Sequence, residues 1–295
     1  MNLLSIIIPV YNAEDTIERT LSSLNKIQPA SKELCEAIII NDGSQDRSVD
    51  IIESKKEDLA PLDIILKKQK NKGTASARNN GLNHCRGEWI FFLDADDELA
   101  FDPVPFIKQS QGSSCLGFRV KLFRHFKYYG RIKPVLINAW NHLNIVTAKN
   151  PFTTSSVIFK KSKVQSYFVE NLIYMEDWLF WLSNPMIFED MKIFPDTTSA
   201  ILHSHGRNKS SDHIMNGKYR KIVADKMLAE PGNSLTRRQK NNLMIQSCIG
   251  SIQQGKRVSS ALFSRIPCDP VLYGKLMFYF FLRERLYKLN FYGRE

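Results

Sequence analysis

The acids of this chain are gathered where carboxylate chemistry would need them. "IFFLDADDEL", residues 90–99, opens as an apolar run and closes on Asp94, Asp96, Asp97 and Glu98. Carboxylates crowded at the end of a buried run repel one another and lose hydration, so the cluster calls for a cation. Residues two apart on an extended chain point to the same side, which lets Asp94 and Asp96 reach one ligand together. Hard oxygen donors suit magnesium or manganese, which keep positions open for water and phosphate oxygens. The D-x-D spacing recurs by chance on surfaces; its place at the tip of an apolar strand gives it weight. A second acidic pair, Glu176–Asp177 in "YMEDWLFWL", reads by itself as first-turn acids favouring a helix dipole.

These groups need elements to hold them. The first hundred residues alternate two patterns. "LLSIIIPV", "CEAIIIND", "LDIILKK" and "EWIFFLD" are strand-like, and the first is a nearly continuous apolar run, as in a strand buried on both faces. Between them, "AEDTIERTLSSLNKI" places Ile17, Leu21, Leu24 and Ile27 at helical spacing. "SQDRSVDIIESKK", with Ser44 or Asp46 as cap, and "TASARNNGLNHC" read as two further helices. This alternation predicts an α/β fold: a mostly parallel sheet flanked by helices, with ligands bound beyond the carboxyl ends of the strands. Tyr11–Asn12, Asn41–Asp42–Gly43 and Asp94–Ala95–Asp96 all fall at those ends.

After Asp102 the alternation stops. "SCLGFRVKLFRHF", "GRIKPVLINAW" and "TTSSVIFKKS" predict a small antiparallel sheet, "YMEDWLFWL" starts a helix, and "MKIFPDTTSAILHSH" returns to strand. From about Asp212 the pattern is helical. The expected organisation is a domain over 1–211, halved at 102, and a helical C-terminal extension over 212–295.

The 295 residues carry a formal charge of +11. From Pro103 to Val169 there are eleven Lys or Arg and no acid. A basic surface attracts phosphate groups, nucleic acid or anionic lipid; solvated strand faces are the plainer reading. Five cysteines without a C-x-x-C pair argue against a disulfide framework and a structural zinc site, and fit a reducing cytoplasm. "MNLLSIIIPVYN" lacks a basic leader and reads as a strand. The tail 256–295 has eight Lys or Arg among many aromatics, the composition of a helix lying in an anionic membrane interface or packed on the domain.

Four stretches in order, "SIIIPVYNAEDTIERTLSSL", "IIINDGSQDRS", "NKGTASARNNGL" and "WIFFLDADDEL", resemble the nucleotide-binding half of an inverting family-2 glycosyltransferase with the GT-A fold. "NLIYMEDWLFWL" and "LHSHGRNKSS" resemble later segments of that family, and the resemblance covers about residues 1–211. It implies a nucleoside diphosphate sugar donor, UDP-linked, a hydroxyl acceptor, and Mn2+ or Mg2+ as cofactor. Pro9 and Tyr11 would line the base, and Asp42 would accept an imide N–H, against the plain reading of a turn-forming Asp in "NDGS". Glu14 would lie on the sugar-nucleotide side, or be a first-turn acid. Gly73 would let backbone approach the ligand, and Arg78 would pair with phosphate or position carboxylates. Asp94, Ala95 and Asp96 would meet the diphosphate, with Asp96 and Asp94 as metal ligands and His205, beside His203, as a third. Asp177, with Glu176 second, would be the base. Trp178, Phe180 and Trp181 would be core packing or a sugar-stacking surface, and Arg207 and Lys209 would close over the diphosphate or lie in a solvated loop.

The charge and the tail extend this to a lipid-linked or lipopolysaccharide glycan acceptor, in O-antigen or capsule assembly on the cytoplasmic face of a membrane, with no nucleic acid partner. A sugar-1-phosphate nucleotidyltransferase would want a Gly-rich basic loop where "PVYNAED" has acids. A basic nucleic-acid-binding protein would explain the charge but not acids at three strand ends.

Overall fold

A computed structural model describes residues 2–124, 127–135, 137, 141–204, 212–230 and 235–254. The tail 255–295 lies outside the described residues, as do His205, Arg207 and Lys209. The strands are β1 Leu4–Val10, β2 Cys35–Asn41, β3 Asp63–Lys68, β4 Trp89–Phe92, β5 Glu98–Leu99, β6 Cys115–Arg124, β7 Lys127–Ile132, β8 Val157–Lys160 and β9 Met191–Ser204. The helices are α1 Ile17–Ser23, α2 Pro29–Lys32, α3 Ser48–Lys55, α4 Thr74–His84, α5 Val104–Lys108, α6 His142–Val146, α7 Glu176–Ser183, α8 His213–Ala229 and α9 Arg237–Gln253. The chain divides into two compact units, residues 1–142 with 150–206, and residues 143–149 with 207–295.

In the first unit one sheet runs β3-β2-β1-β4-β8-β6-β9-β5, with β7 paired to β6. The first four strands are parallel, as the alternation predicts. The antiparallel strands of the second half are no separate layer: β8 pairs with β4 and β6 with β8, so they extend the same sheet. This is a mixed α/β sheet flanked by helices. The strand expected through "GRIKPVLINAW" stops at Ile132, just before Pro134, which has no N–H to give a ladder.

The two faces of the sheet follow from strand alternation. Leu4, Ile6, Ile8, Phe91, Leu116, Phe118 and Ile158 share a core with Ile17, Leu21 and Leu24 at the start of the chain, Ile52 of α3 and Ile107 of α5. The opposite face takes α4 and α7. Gly81 of α4 sits so close to β1 that a Cβ there would lie 2.3 Å from Ile7 Cγ2. Phe180 and Trp181 of α7 pack on Phe159 of β8 at ring distances of 6.0 Å each. Trp178, Phe180 and Trp181 are all buried, so the aromatic run is core rather than a sugar-stacking surface.

Pro9 sits in a central strand without breaking it. Ile7 C=O accepts from Leu93 on the β4 side, and groups two apart on a strand face the same way. The missing N–H of Pro9 therefore faces a point beyond the last β1–β4 pair, Ile7 with Phe92.

In the second unit α8 is capped by the Asp212 carboxylate, which accepts from Met215 N–H at 2.9 Å. Gly217 and Gly250 let α8 and α9 approach closely, since a Cβ on Gly250 would meet Gly217 O at 2.4 Å. Among the described residues no helix is long and apolar enough to cross a membrane.

Candidate active site

Parallel order sets the tips of β3, β2, β1 and β4 side by side, and local hydrogen bonds tie them together. Asn12, beyond β1, adopts φ 46°, a left-handed conformation that Asn tolerates better than most residues. From there its carbonyl-type Oδ1 accepts Gln45 N–H at 2.9 Å, and its own N–H reaches Ser44 Oγ at 3.0 Å. Asp46 accepts Ser48 N–H at 3.0 Å and Glu14 N–H at 3.0 Å, which pins the first loop against the start of α3, but the cap position falls to Arg47, with no side-chain cap bond, and not to Ser44 or Asp46 as expected. Glu14 in turn accepts the Arg47 N–H and Nε–H at 3.2 Å each. Tyr11 is half exposed at this mouth and Pro9 is buried beneath it.

Asp42 is buried at the tip of β2. Its Oδ1 accepts Gln69 Nε2 and Lys72 N–H, and its Oδ2 accepts Gly73 N–H, all at 2.8 Å. A carboxylate has about four acceptor positions, so three donors leave one. Gly73 (φ 90°) is the hinge from which α4 starts.

Between Asp94 and Asp97 the chain is not extended. Asp97 N–H donates to Asp94 C=O at 3.1 Å, a turn, so the expectation that Asp94 and Asp96 share a side by strand alternation does not hold. Thr20 hydroxyl donates to Ala95 C=O at 2.9 Å and Arg19 Nη2 to Asp96 C=O at 2.7 Å, which anchors the turn by its backbone, and Arg19 Nε lies 3.7 Å from Glu98 Oε1. Asp97 is buried and accepts His203 N–H at 3.0 Å. Burial, then the charges of Asp96 and Asp94, push its carboxyl well above the ordinary range. His203 Nε2 meets Glu98 Oε1 at 2.6 Å, so His203 is engaged with an acid of the same turn.

Among the described residues no group of three His, Cys, Asp or Glu side chains forms a ready metal site. The chemistry of the turn nevertheless fits a divalent cation: hard oxygen donors only, at a strand tip, with carboxylates close enough for Asp96 and Asp94 to add to the burial that raises the Asp97 carboxyl. His205, expected as a third ligand, lies outside the described residues.

Arg78 joins the two halves of the unit. It is 4% exposed; Nη2 donates to Asp94 Oδ1 at 2.8 Å and Nη1 to Glu176 Oε1 at 3.0 Å. Phe92 and Phe168 flank its guanidinium at 5.9 and 5.5 Å. Of the two roles open to it, phosphate or carboxylates, the side chain as it stands positions carboxylates. Asn79 beside it clamps Phe168 by a reciprocal pair of hydrogen bonds at 2.9 Å.

Glu176 and Asp177 open α7 after Met175, which is left-handed at φ 60°. Asp177 Oδ2 accepts Asn150 Nδ2 and its Oδ1 accepts Trp178 N–H, both at 2.8 Å. Burial and the neighbouring Glu176 charge raise its carboxyl to about 6, against the lowering pull of Arg78 and Asn150. A half-buried carboxylate poised near neutrality can take a proton at physiological pH. Sequence reasoning missed Asn150 and Gln69. Gln69 lies just past a strand end and could have been read by the same rule as Asp42, whereas "AKNPF" offers no sign of Asn150.

Comparison with known proteins gives this arrangement its relatives. Residues 5–132 match the family described as Glycosyl transferase family 2. A poly(ribitol-phosphate) beta-glucosyltransferase of Bacillus spizizenii is 35% identical over 119 residues, which is 39% of this chain and 18% of that protein. The fold resembles the crystal structure of S. aureus TarS 1-349 in complex with UDP-GlcNAc, with a TM-score of 0.64 and 20% identity, covering 85% of this chain and 72% of that one. It also resembles the mannosyltransferase PcManGT from Pyrobaculum calidifontis in complex with GDP-Man and Mn2+, with a TM-score of 0.61 and 15% identity over 88% and 74% of the two chains.

Proposed function

We propose, from the premise that residues 5–132 are a family-2 glycosyltransferase domain on a GT-A fold, that the chain transfers a sugar from a nucleoside diphosphate donor to a hydroxyl with inversion. The observation that carries the reading is the Arg78 bridge, which ties the acids at the tip of β4 to the acids opening α7. A donor seated over the strand tips and an acceptor held at α7 would meet at that bridge.

The donor is UDP-linked. The acceptor position left on Asp42 suits an imide N–H, which uracil has and cytosine lacks. Tyr11 offers its ring to the base at the exposed mouth. Magnesium or manganese held by Asp94 and Asp96 would neutralise the charge that develops on the departing diphosphate. The transfer itself is one displacement: the acceptor oxygen bonds to the anomeric carbon as the bond to the diphosphate oxygen breaks. The acceptor proton passes to Asp177. Asn150 and Trp178 N–H fix the orientation of that carboxylate, and Glu176, held by Arg78, keeps its proton affinity high.

The setting we infer is assembly of a bacterial surface glycan, with a lipid-linked or polymer acceptor. Support comes from the poly(ribitol-phosphate) beta-glucosyltransferase relative and from the basic run 103–169. A screen of nucleotide sugars for donor hydrolysis, with and without manganese, tests the reading. Turnover of a UDP-sugar that requires the ion is expected. Release of pyrophosphate from UTP and a sugar 1-phosphate, with no donor hydrolysis, would instead mark a nucleotidyltransferase.

A further inference from the structure

The β6–β7 hairpin carries a charge arrangement that its own fold does not resolve. Lys121 of β6 stands directly opposite Arg131 of β7, and both are exposed. Directly opposed residues of an antiparallel pair place their Cβ atoms about 5 Å apart, and like charges there repel. Arg119 lies two positions before Lys121 and so shares its side of the strand. It meets Asp196 at 3.0 Å, yet its buried Nε has no hydrogen-bond partner. Lys133, exposed, follows two positions after Arg131.

Three other cations of the acid-free run are engaged. Lys160 pairs with Glu88 at 2.8 Å and Lys163 with Glu189 at 2.6 Å, while Lys161 donates to Cys85 C=O at 2.8 Å. Lys121, Arg131 and Lys133 have no acidic partner among the described residues. Three cations without an acidic partner thus gather on one hairpin.

Register shows which face of the sheet bears it. Cys115 and Gly117 pair with Phe159 and Val157 of β8, so every second residue of β6 from Cys115 onward, Arg119 and Lys121 included, faces the side of Phe159. Leu116, Phe118 and Val120 alternate with them into the buried side. Phe159 packs against Phe180 and Trp181 of α7, whose first turn holds Glu176 and Asp177. The unpaired cations and the proposed base therefore share one face of the sheet.

We infer that this hairpin face docks a phosphodiester-bearing acceptor chain, its Arg119, Lys121 and Arg131 contacting successive phosphates while a hydroxyl of the same chain reaches Asp177. The inference rests on the glycosyltransferase reading and names the acceptor class for it. A repeating anion suits the site better than a single one, because the cations follow a strand repeat of about 7 Å for every second residue. Each phosphate contact also releases counterions, so binding must weaken as salt rises.

The test uses the full chain and a fluorescent oligo(glycerol phosphate) as probe, titrated by anisotropy at 50 and 200 mM salt. Binding at low salt is expected, with a steep salt dependence. In Lys121→Gln/Arg131→Gln it should be about tenfold weaker, with the slope of log affinity against log salt reduced by roughly one to two. The double variant Lys26→Gln/Lys56→Gln, which removes the same charge from the opposite sheet face, should bind as the wild type does. Absence of binding at 50 mM salt, or equal losses in the two double variants, overturns the inference. So does a chain that binds anionic vesicles through Lys121 and Arg131 but ignores the oligomer, which would make the hairpin a membrane contact. UDP binding by the wild type is measured alongside. A chain that takes UDP but no phosphodiester overturns the docking inference alone, and one that takes phosphodiester but no nucleotide overturns the donor reading alone.

Discussion

Arg78 and Glu176 lie 98 positions apart in the chain and meet at 3.0 Å, with the guanidinium almost wholly buried and its other arm on Asp94. One cation thus holds the acid at the tip of β4 and the acid opening α7 in a fixed relation. Charge-assisted pairs of this kind are worth roughly twice a neutral hydrogen bond. Their removal leaves carboxylates facing one another in a poorly hydrated place.

Arg78→Ala should therefore destabilise the chain by about 2–3 kcal/mol at neutral pH, less than the loss of a fully buried pair, because Asp94 is 35% exposed. Arg78→Lys, which keeps the charge but not the planar fork, should recover part of the loss. Thermal melts of the two variants check this, and an equal loss in both would mean that the fork and its packing against Phe92 and Phe168 matter more than charge.

Asp177 should set the acid limb of the reaction. With its carboxyl raised to about 6, the base is protonated and idle below that pH, so transfer should fall as pH drops through 6. Asp177→Asn should cut transfer by about 10²–10⁴-fold with donor binding little changed. Its raised proton affinity also means that the native state binds the proton more tightly than the unfolded chain. Stability is then lost as pH rises from about 4 to 6, so the Asn variant's stability relative to the wild type should be greater at pH 8 than at pH 5. If Glu176→Gln is dead and Asp177→Asn is active, the two roles are exchanged.

Asp42→Asn replaces an acceptor of three donors by a group that must itself donate. Loss of the contacts to Lys72 and Gly73 N–H should loosen that loop and weaken UDP binding by about tenfold. In the wild type UDP should compete better than CDP. Equal competition by the two nucleotides removes Asp42 from base recognition and leaves it as a holder of the loop.

UDP binding measured calorimetrically should require manganese or magnesium and be abolished by excess chelator. Asp96→Ala should show the same loss with the ion present, while the Arg19 contact to the Asp96 C=O is kept. UDP affinity in Asp96→Ala that equals the wild type's in manganese removes this carboxylate from the ion.

Gly81→Ala tests the packing of α4, the helix that carries Arg78. A methyl 2.3 Å from Ile7 Cγ2 must push the helix off β1 or strain Ile7, at a cost of about 1–3 kcal/mol in denaturant unfolding. Ile7→Ala should recover part of that loss in the double variant. Additive losses would mean that the clash is relieved elsewhere.

Much of the site was legible because strand and helix periods are local. An apolar run that ends in "DAD" or "ND" announces a strand tip, and parallel order then brings Tyr11, Asp42 and Asp94 to one edge of the sheet. The helical start at Glu176 was equally readable, since acids before "WLFWL" fit a first turn. The same local reasoning failed where a turn interrupted the strand. Alternation assigned Asp94 and Asp96 to one side, but the Asp97 N–H to Asp94 C=O bond bends the chain between them.

The sequence by itself determined the alternating elements, the edge at which the polar tips gather, and the region in which positive charge accumulates, since each depends on neighbours a few positions apart. Only the tertiary structure decided who meets whom. Arg78 could have served a phosphate or an acid; 98 residues later Glu176 fills one arm. Asn150 carries no signal in its own segment, yet it orients Asp177 from 27 positions away. The register of β6 on β7 and β8 turned a diffuse basic run into Lys121 facing Arg131 on the side of α7. Such pairings are fixed by the packing of distant segments, where the free energy of one contact depends on the burial of all the others, and no local period of the chain records them.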